Sequence, residues 1–64
     1  MPWNADTLKT LRERRGLTQQ QLANLVGAHR VTIAKLENGT LRPGVDLLEA
    51  LTKVLRVSVT TFLK

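Results

Sequence analysis

The 64 residues contain no cysteine, so disulfides and thiolate metal ligands are both excluded. A single histidine is too few to build a metal site in their place, and the sequence leads us to expect neither a metal nor a cofactor. Tyrosine is also missing, which leaves Trp3 and Phe62 as the aromatic residues and makes the core aliphatic. A chain this short must draw its stability from tight packing of helices. No apolar run approaches the roughly 20 residues that cross a membrane. The Met-Pro-Trp-Asn start lacks the pattern of a signal peptide, so we expect a cytoplasmic, nucleoid-associated protein that does not contact the membrane. Acids are scarce as well: five stand against ten Lys and Arg, a net charge of +5. Seven of those ten basic residues fall between Lys9 and Arg42, a balance that suits a polyanionic partner. There is no H-E-x-x-H pair, no phosphate loop and no acid pair with supporting residues, so the expectation is not an enzyme.

What is present is helical. Ala5, Leu8, Leu11, Arg12 and Arg15 recur at helical spacing over residues 5–15, and Gly16 follows where a helix end favours glycine. Thr18 then opens a second helix, with Gln21 as its reciprocal cap and Leu22, Ala23 and Val26 as its buried stripe before Gly27. The stretch GAHRVTIAKLENG predicts a third helix ending at Asn38-Gly39, and Pro43 blocks continuation through the loop that follows. Residues 45–55 put Val45, Leu48, Leu51, Thr52 and Leu55 on one face, and Ser58 is placed to cap a last short helix carrying Val59 and Phe62. The expected architecture is all-α, a compact five-helix bundle forming one domain over residues 1–64.

The second and third helices form a helix-turn-helix unit, two short helices joined by a tight turn at Gly27, in which the latter can enter the major groove of a duplex. With Ile33 and Leu36 fastened to the core, the third helix presents Arg30, Val31, Ala34 and Lys35 outward, with Thr32 beside them. Arg and Lys donate to the O6 and N7 acceptors of guanine, and a small apolar side chain meets the thymine methyl. A merely solvated helix face would mix Glu with Lys at four-residue spacing, and this face holds no such acid.

The run LTQQQLANLVG, then TIAKLENG, a loop holding Pro43 and LLEALTKVLRVSVTTFL resembles the phage-repressor and Cro type of helix-turn-helix domain, the xenobiotic-response-element family of regulators. The resemblance covers about residues 8–63. Its most specific elements are Thr18-Gln19, Leu22-Ala23, Gly27, Ile33 and Leu36-Glu37-Asn38-Gly39. It implies a lambda-repressor-like fold acting as a homodimer on a partly palindromic operator in double-stranded DNA, and it brings no catalytic residue. Carried onto this chain, it implies Gln19 at a phosphate, Arg30, Val31 and Lys35 on bases with Thr32 in the same DNA-binding set, and Asn38 and Arg42 on the backbone. His29 stands where the family has a Ser or Thr cap, a weaker cap that is placed to approach DNA. Arg56 replaces the glycine that usually follows the fourth helix, so a non-glycine residue is expected at positive φ, at a cost of about 1 kcal/mol. Thr52 replaces a buried alanine, and its hydroxyl is expected to bond back to the Leu48 carbonyl.

Arg12 and Glu37 fall on the inner faces of the first and third helices, and similar domains pair charges there, so a structural ion pair is expected. Gln20 is read as a simple helix former, Gln21 as a cap and Trp3 as a lid on the core. For the dimer contact, the excess apolar residues Val57, Val59, Phe62 and Leu63 give the expected surface, with assembly either in solution or only on DNA. The function expected is that of a transcriptional repressor reading a specific duplex. Two other readings stay open: an antitoxin or restriction–modification controller with the same DNA face and a protein partner, and a module that docks on an acidic protein without binding DNA.

Overall fold

In the computed structural model, which describes residues 3–63, Asn4 opens the first helix in an extended conformation, its side chain accepting from the Thr7 backbone N–H at 3.1 Å. Met1, Pro2 and Lys64, the ends of the span expected for the domain, lie outside the described residues. From Asn4 the chain forms α1 (Ala5–Arg14), α2 (Gln19–Val26), α3 (Arg30–Glu37) and α4 (Val45–Leu55). Among the described residues there is no strand, and none of the helices is long and apolar enough to cross a membrane.

A fifth helix was expected, and here the fold differs. Residues Val59–Phe62 make a single 3-10 turn, closed by the Thr61 N–H donating to the Ser58 carbonyl and the Leu63 N–H to that of Thr60. The β-branched run Val59, Thr60 and Thr61 disfavours a longer α-helix, because each side chain crowds the preceding turn. Nor does Ser58 cap it: the Ser58 hydroxyl lies 2.9 Å from that of Thr60, and no side-chain cap bond forms.

The core is the aliphatic cluster that the composition requires. Leu8 of α1, Leu22 and Ala23 of α2, Ile33 and Leu36 of α3, Leu51 and Leu55 of α4, and Phe62 are fully buried. Each such large side chain contributes roughly 1.5–3 kcal/mol through removal from water. Trp3 closes the open end: its ring centroid lies 5.3 Å from that of Phe62, and its indole N–H donates to the Leu36 carbonyl at 2.9 Å. The Asn4 N–H donates to the Phe62 carbonyl, tying the two ends of the described chain together.

Two expectations for α4 are corrected. Val45 does not share the buried face; it is 73% exposed, because it sits at the first helical position, ahead of the core, and Leu47 packs inward beside the expected Leu48. The Thr52 hydroxyl donates to the Glu49 carbonyl at 2.7 Å, one residue nearer than Leu48. At the end of α4, Arg56 adopts φ 56°, ψ 49°, the left-handed conformation that a β-carbon makes costly. Arg15 reaches across from just past α1 to donate to the Leu55 carbonyl at 2.7 Å, satisfying a group that the helix end leaves open.

Candidate nucleic-acid interface

Local backbone features set the start of α2, its end and its short link to α3. Thr18 and Gln21 form the reciprocal cap: the Thr18 hydroxyl accepts from the Gln21 N–H at 3.0 Å, and the Gln21 side chain accepts from the Thr18 N–H at 2.9 Å. Gly27 ends α2 at φ 72°, where glycine carries no β-carbon penalty, and Ala28 and His29 lead into α3.

With Ile33 and Leu36 buried, α3 turns Arg30, Val31 and Lys35 to solvent, Val31 at 53% exposure. Thr32 and Ala34 flank that stripe and are half-buried, Ala34 less open than its place in the expected outward set implied. His29 is exposed at the cap position and makes no side-chain cap bond, leaving the first-turn N–H groups of α3 without one. Asn38 is exposed just past α3, its side-chain oxygen accepting from the Thr40 N–H at 2.9 Å and shaping the loop that carries the exposed Arg42.

The one acid in this region is taken out of the field. Glu37 is 8% exposed, as is Arg12 of α1, and the two meet as a fork: Arg12 Nε donates to Glu37 Oε2 at 2.6 Å and Nη2 to Oε1 at 3.1 Å. Arg12 Nη1 also donates to the Leu17 carbonyl at 2.6 Å, so all three guanidinium nitrogens are satisfied. The hydrogen bond to Glu37 raises the Arg12 pKa above the ordinary arginine value, against the opposing effect of burial. From Gln19 to Arg42, the exposed charged side chains are Arg30, Lys35 and Arg42, all cationic. The exposed charge of α3 and of the loop after it is thus of one sign.

Gln19 is half-buried, and its Nε2 donates to Glu37 Oε1 at 3.2 Å. That contact was not foreseen, since nothing in the spacing of residues 18 apart signals it. The Asn4 cap and the Arg15 bond to α4 were missed too, although Asn directly before a helical run is a readable cap.

One of the expected dimer residues has no surface to offer. Phe62 is fully buried in the core against Trp3, so its ring has no area left for a partner. Val57 packs against the core from its edge, Leu63 is half-buried, and Val59 is 37% exposed.

Comparison with known proteins agrees with this geometry. A model of the helix-turn-helix domain matches residues 5–62. The DNA-binding domain of the P22 c2 repressor is 28% identical and superposes with a TM-score of 0.87 over 94% of this chain and 79% of that one. The restriction-modification controller protein C.AhdI from Aeromonas hydrophila is 26% identical, with a TM-score of 0.82 over 89% of this chain and 86% of the other. SinR, described as the master regulator for biofilm formation and solved in complex with DNA, is 28% identical, with a TM-score of 0.86 over 94% and 97%. No curated protein sequence matches closely enough to count as a relative.

Proposed function

The chain belongs to the family of helix-turn-helix domains, and from that premise we propose that it is a sequence-specific duplex-DNA-binding transcriptional regulator, a repressor, acting in the cytoplasm as one domain over residues 1–64. The observation that carries the reading is the charge on α3 and the loop after it: Arg30, Lys35 and Arg42 are exposed, while Glu37, the sole acid of residues 19–42, is buried against Arg12. In the major groove, Arg30 and Lys35 donate to guanine acceptors and Val31 meets a thymine methyl, with Thr32 and His29 at the margins of the same contact. Gln19 at the start of α2, and Asn38 and Arg42 beyond α3, hold phosphates and fix the register.

One copy of α3 covers few base pairs, so two copies bind the half-sites of a partly palindromic operator, with a small homodimer contact around Val59, Val57 and Leu63 that forms on the DNA. The similarity to C.AhdI supports a second version of the reading, a restriction–modification controller using the same face.

Titration of the chain with duplex DNA over a range of salt concentrations, with an acidic protein as competitor, tests the reading. Affinity for DNA should fall linearly in log–log form as counterions compete, and the acidic protein should not displace the duplex. Salt-independent binding, or displacement by the acidic protein, would support instead a module that docks on proteins.

A further inference from the structure

We propose that Glu37 is a positioning residue for DNA contact: the carboxylate that Arg12 holds also orients the Gln19 amide, so that docking of α1 on α3 and readiness of the DNA face are one property. The proposal rests on the DNA-binding reading above and assigns the buried ion pair a role beyond stability.

The three consecutive glutamines at the start of α2 have three different partners. Gln21 completes the cap with Thr18, and Gln20 Nε2 donates to the Asn24 side-chain oxygen at 2.9 Å, both at the surface. Gln19 turns inward, and its Nε2 meets Glu37 Oε1 at 3.2 Å, joining the first residue of α2 to the last residue of α3. A carboxylate paired with a guanidinium accepts hydrogen bonds, and here Arg12 donates to both of the Glu37 oxygens. Glu37 therefore selects the nitrogen end of the Gln19 amide and rejects the oxygen end, a choice that an unpartnered glutamine would leave open.

An amide held in this way loses less rotational freedom when it meets a ligand. Its second N–H is the remaining donor, fixed in direction at a helix N-terminus whose dipole favours phosphate. Arg12 thus acts on the DNA face through two steps, from guanidinium to carboxylate and from carboxylate to amide.

The test compares Gln19→Ala in two backgrounds, the parent chain and an Arg12→Met/Glu37→Leu variant in which apolar residues of similar size replace the pair and keep the fold. On a duplex selected by the parent, Gln19→Ala should weaken binding about tenfold, and the pair replacement alone by a similar factor. In the replaced background, Gln19→Ala should add less than about twofold, since the amide is no longer held. Nuclear magnetic resonance gives a readout that a purely structural role would not move: the Gln19 side-chain NH2 should exchange slowly in the parent and fast in the replaced variant, while backbone shifts of α2 and α3 persist. Should the double replacement fail to fold, a second apolar pair, Arg12→Leu/Glu37→Met, serves, because it too leaves Gln19 without an acceptor at that position. Equal Gln19→Ala penalties in both backgrounds, or NH2 protons indifferent to the loss of Glu37, overturn the positioning role. A parent that binds no duplex at all removes the regulator reading and the proposal with it, and is told apart because it fails before any variant is compared.

Discussion

Arg12 and Glu37, 25 residues apart in sequence, form a two-bond fork between α1 and α3, with both residues 8% exposed. Removing one partner strands the other in a low-dielectric interior. Arg12→Ala or Glu37→Ala should each cost about 3–5 kcal/mol, while joint replacement by apolar residues of similar size should be close to neutral. Urea denaturation of the three variants checks this, and a single replacement that leaves the midpoint unchanged would show that water already solvates the pair.

Arg56 closes α4 at φ 56°. Glycine there relieves the contact between the β-carbon and the following carbonyl, although it also frees the unfolded chain, so Arg56→Gly should stabilise by about 0.5–1 kcal/mol. For a domain of this size, that is a rise of a few degrees in Tm, about 4–8 °C per kcal/mol. A lower melting temperature would mean that the Arg56 side chain makes a contact worth more than the strain.

The exposed cations divide by role. Arg30→Ala or Lys35→Ala should cost about 1–3 kcal/mol on the preferred site and relax the choice at one base position. Arg42→Ala should weaken all sequences alike, because phosphates carry no sequence. Selection from a randomised duplex pool separates the two, and an unchanged base preference after Arg30→Ala would remove Arg30 from the reading set.

Phe62 and Val59 lie in one 3-10 turn, yet substitution should affect different properties. Phe62→Ala opens the fully buried core and should cost about 3–5 kcal/mol of stability. Val59→Asp should leave the fold intact and weaken the second binding event on a duplex whose half-site centres are about 34–36 Å apart. Sedimentation with single and double half-site duplexes measures this, and unaltered pairing of Val59→Asp on the double site would place the dimer contact elsewhere.

Legibility in the sequence followed the range of the interaction. Thr18, Gln21 and Gly27 act on neighbours within a turn, so the start and end of α2 could be read from spacing. Ile33 and Leu36 at helical spacing gave the buried side of α3 and, by subtraction, its exposed side. The positive φ of Arg56 was readable because a residue with a β-carbon stands where the resembling family places glycine. The last helix was misread because a cap residue and two apolar positions are equally compatible with a single 3-10 turn, and the β-branched run between them decides the matter. Phe62 was assigned to the surface because the pattern does not say that Trp3 and Asn4, nearly 60 residues earlier, close over it. The bond from Gln19 to Glu37 depends on the angle between α2 and α3, which no local pattern states.

Whether α3 reads base edges in the major groove decides how this domain works. Methylation interference on a duplex selected by the protein asks this directly, since dimethyl sulfate modifies guanine N7 in the major groove and adenine N3 in the minor groove. We expect N7 methylation at two guanine clusters, one per half-site, to block binding, and the block to vanish at one position when Arg30 or Lys35 is replaced by alanine. Interference confined to adenine N3, or none at any base, would contradict the major-groove reading.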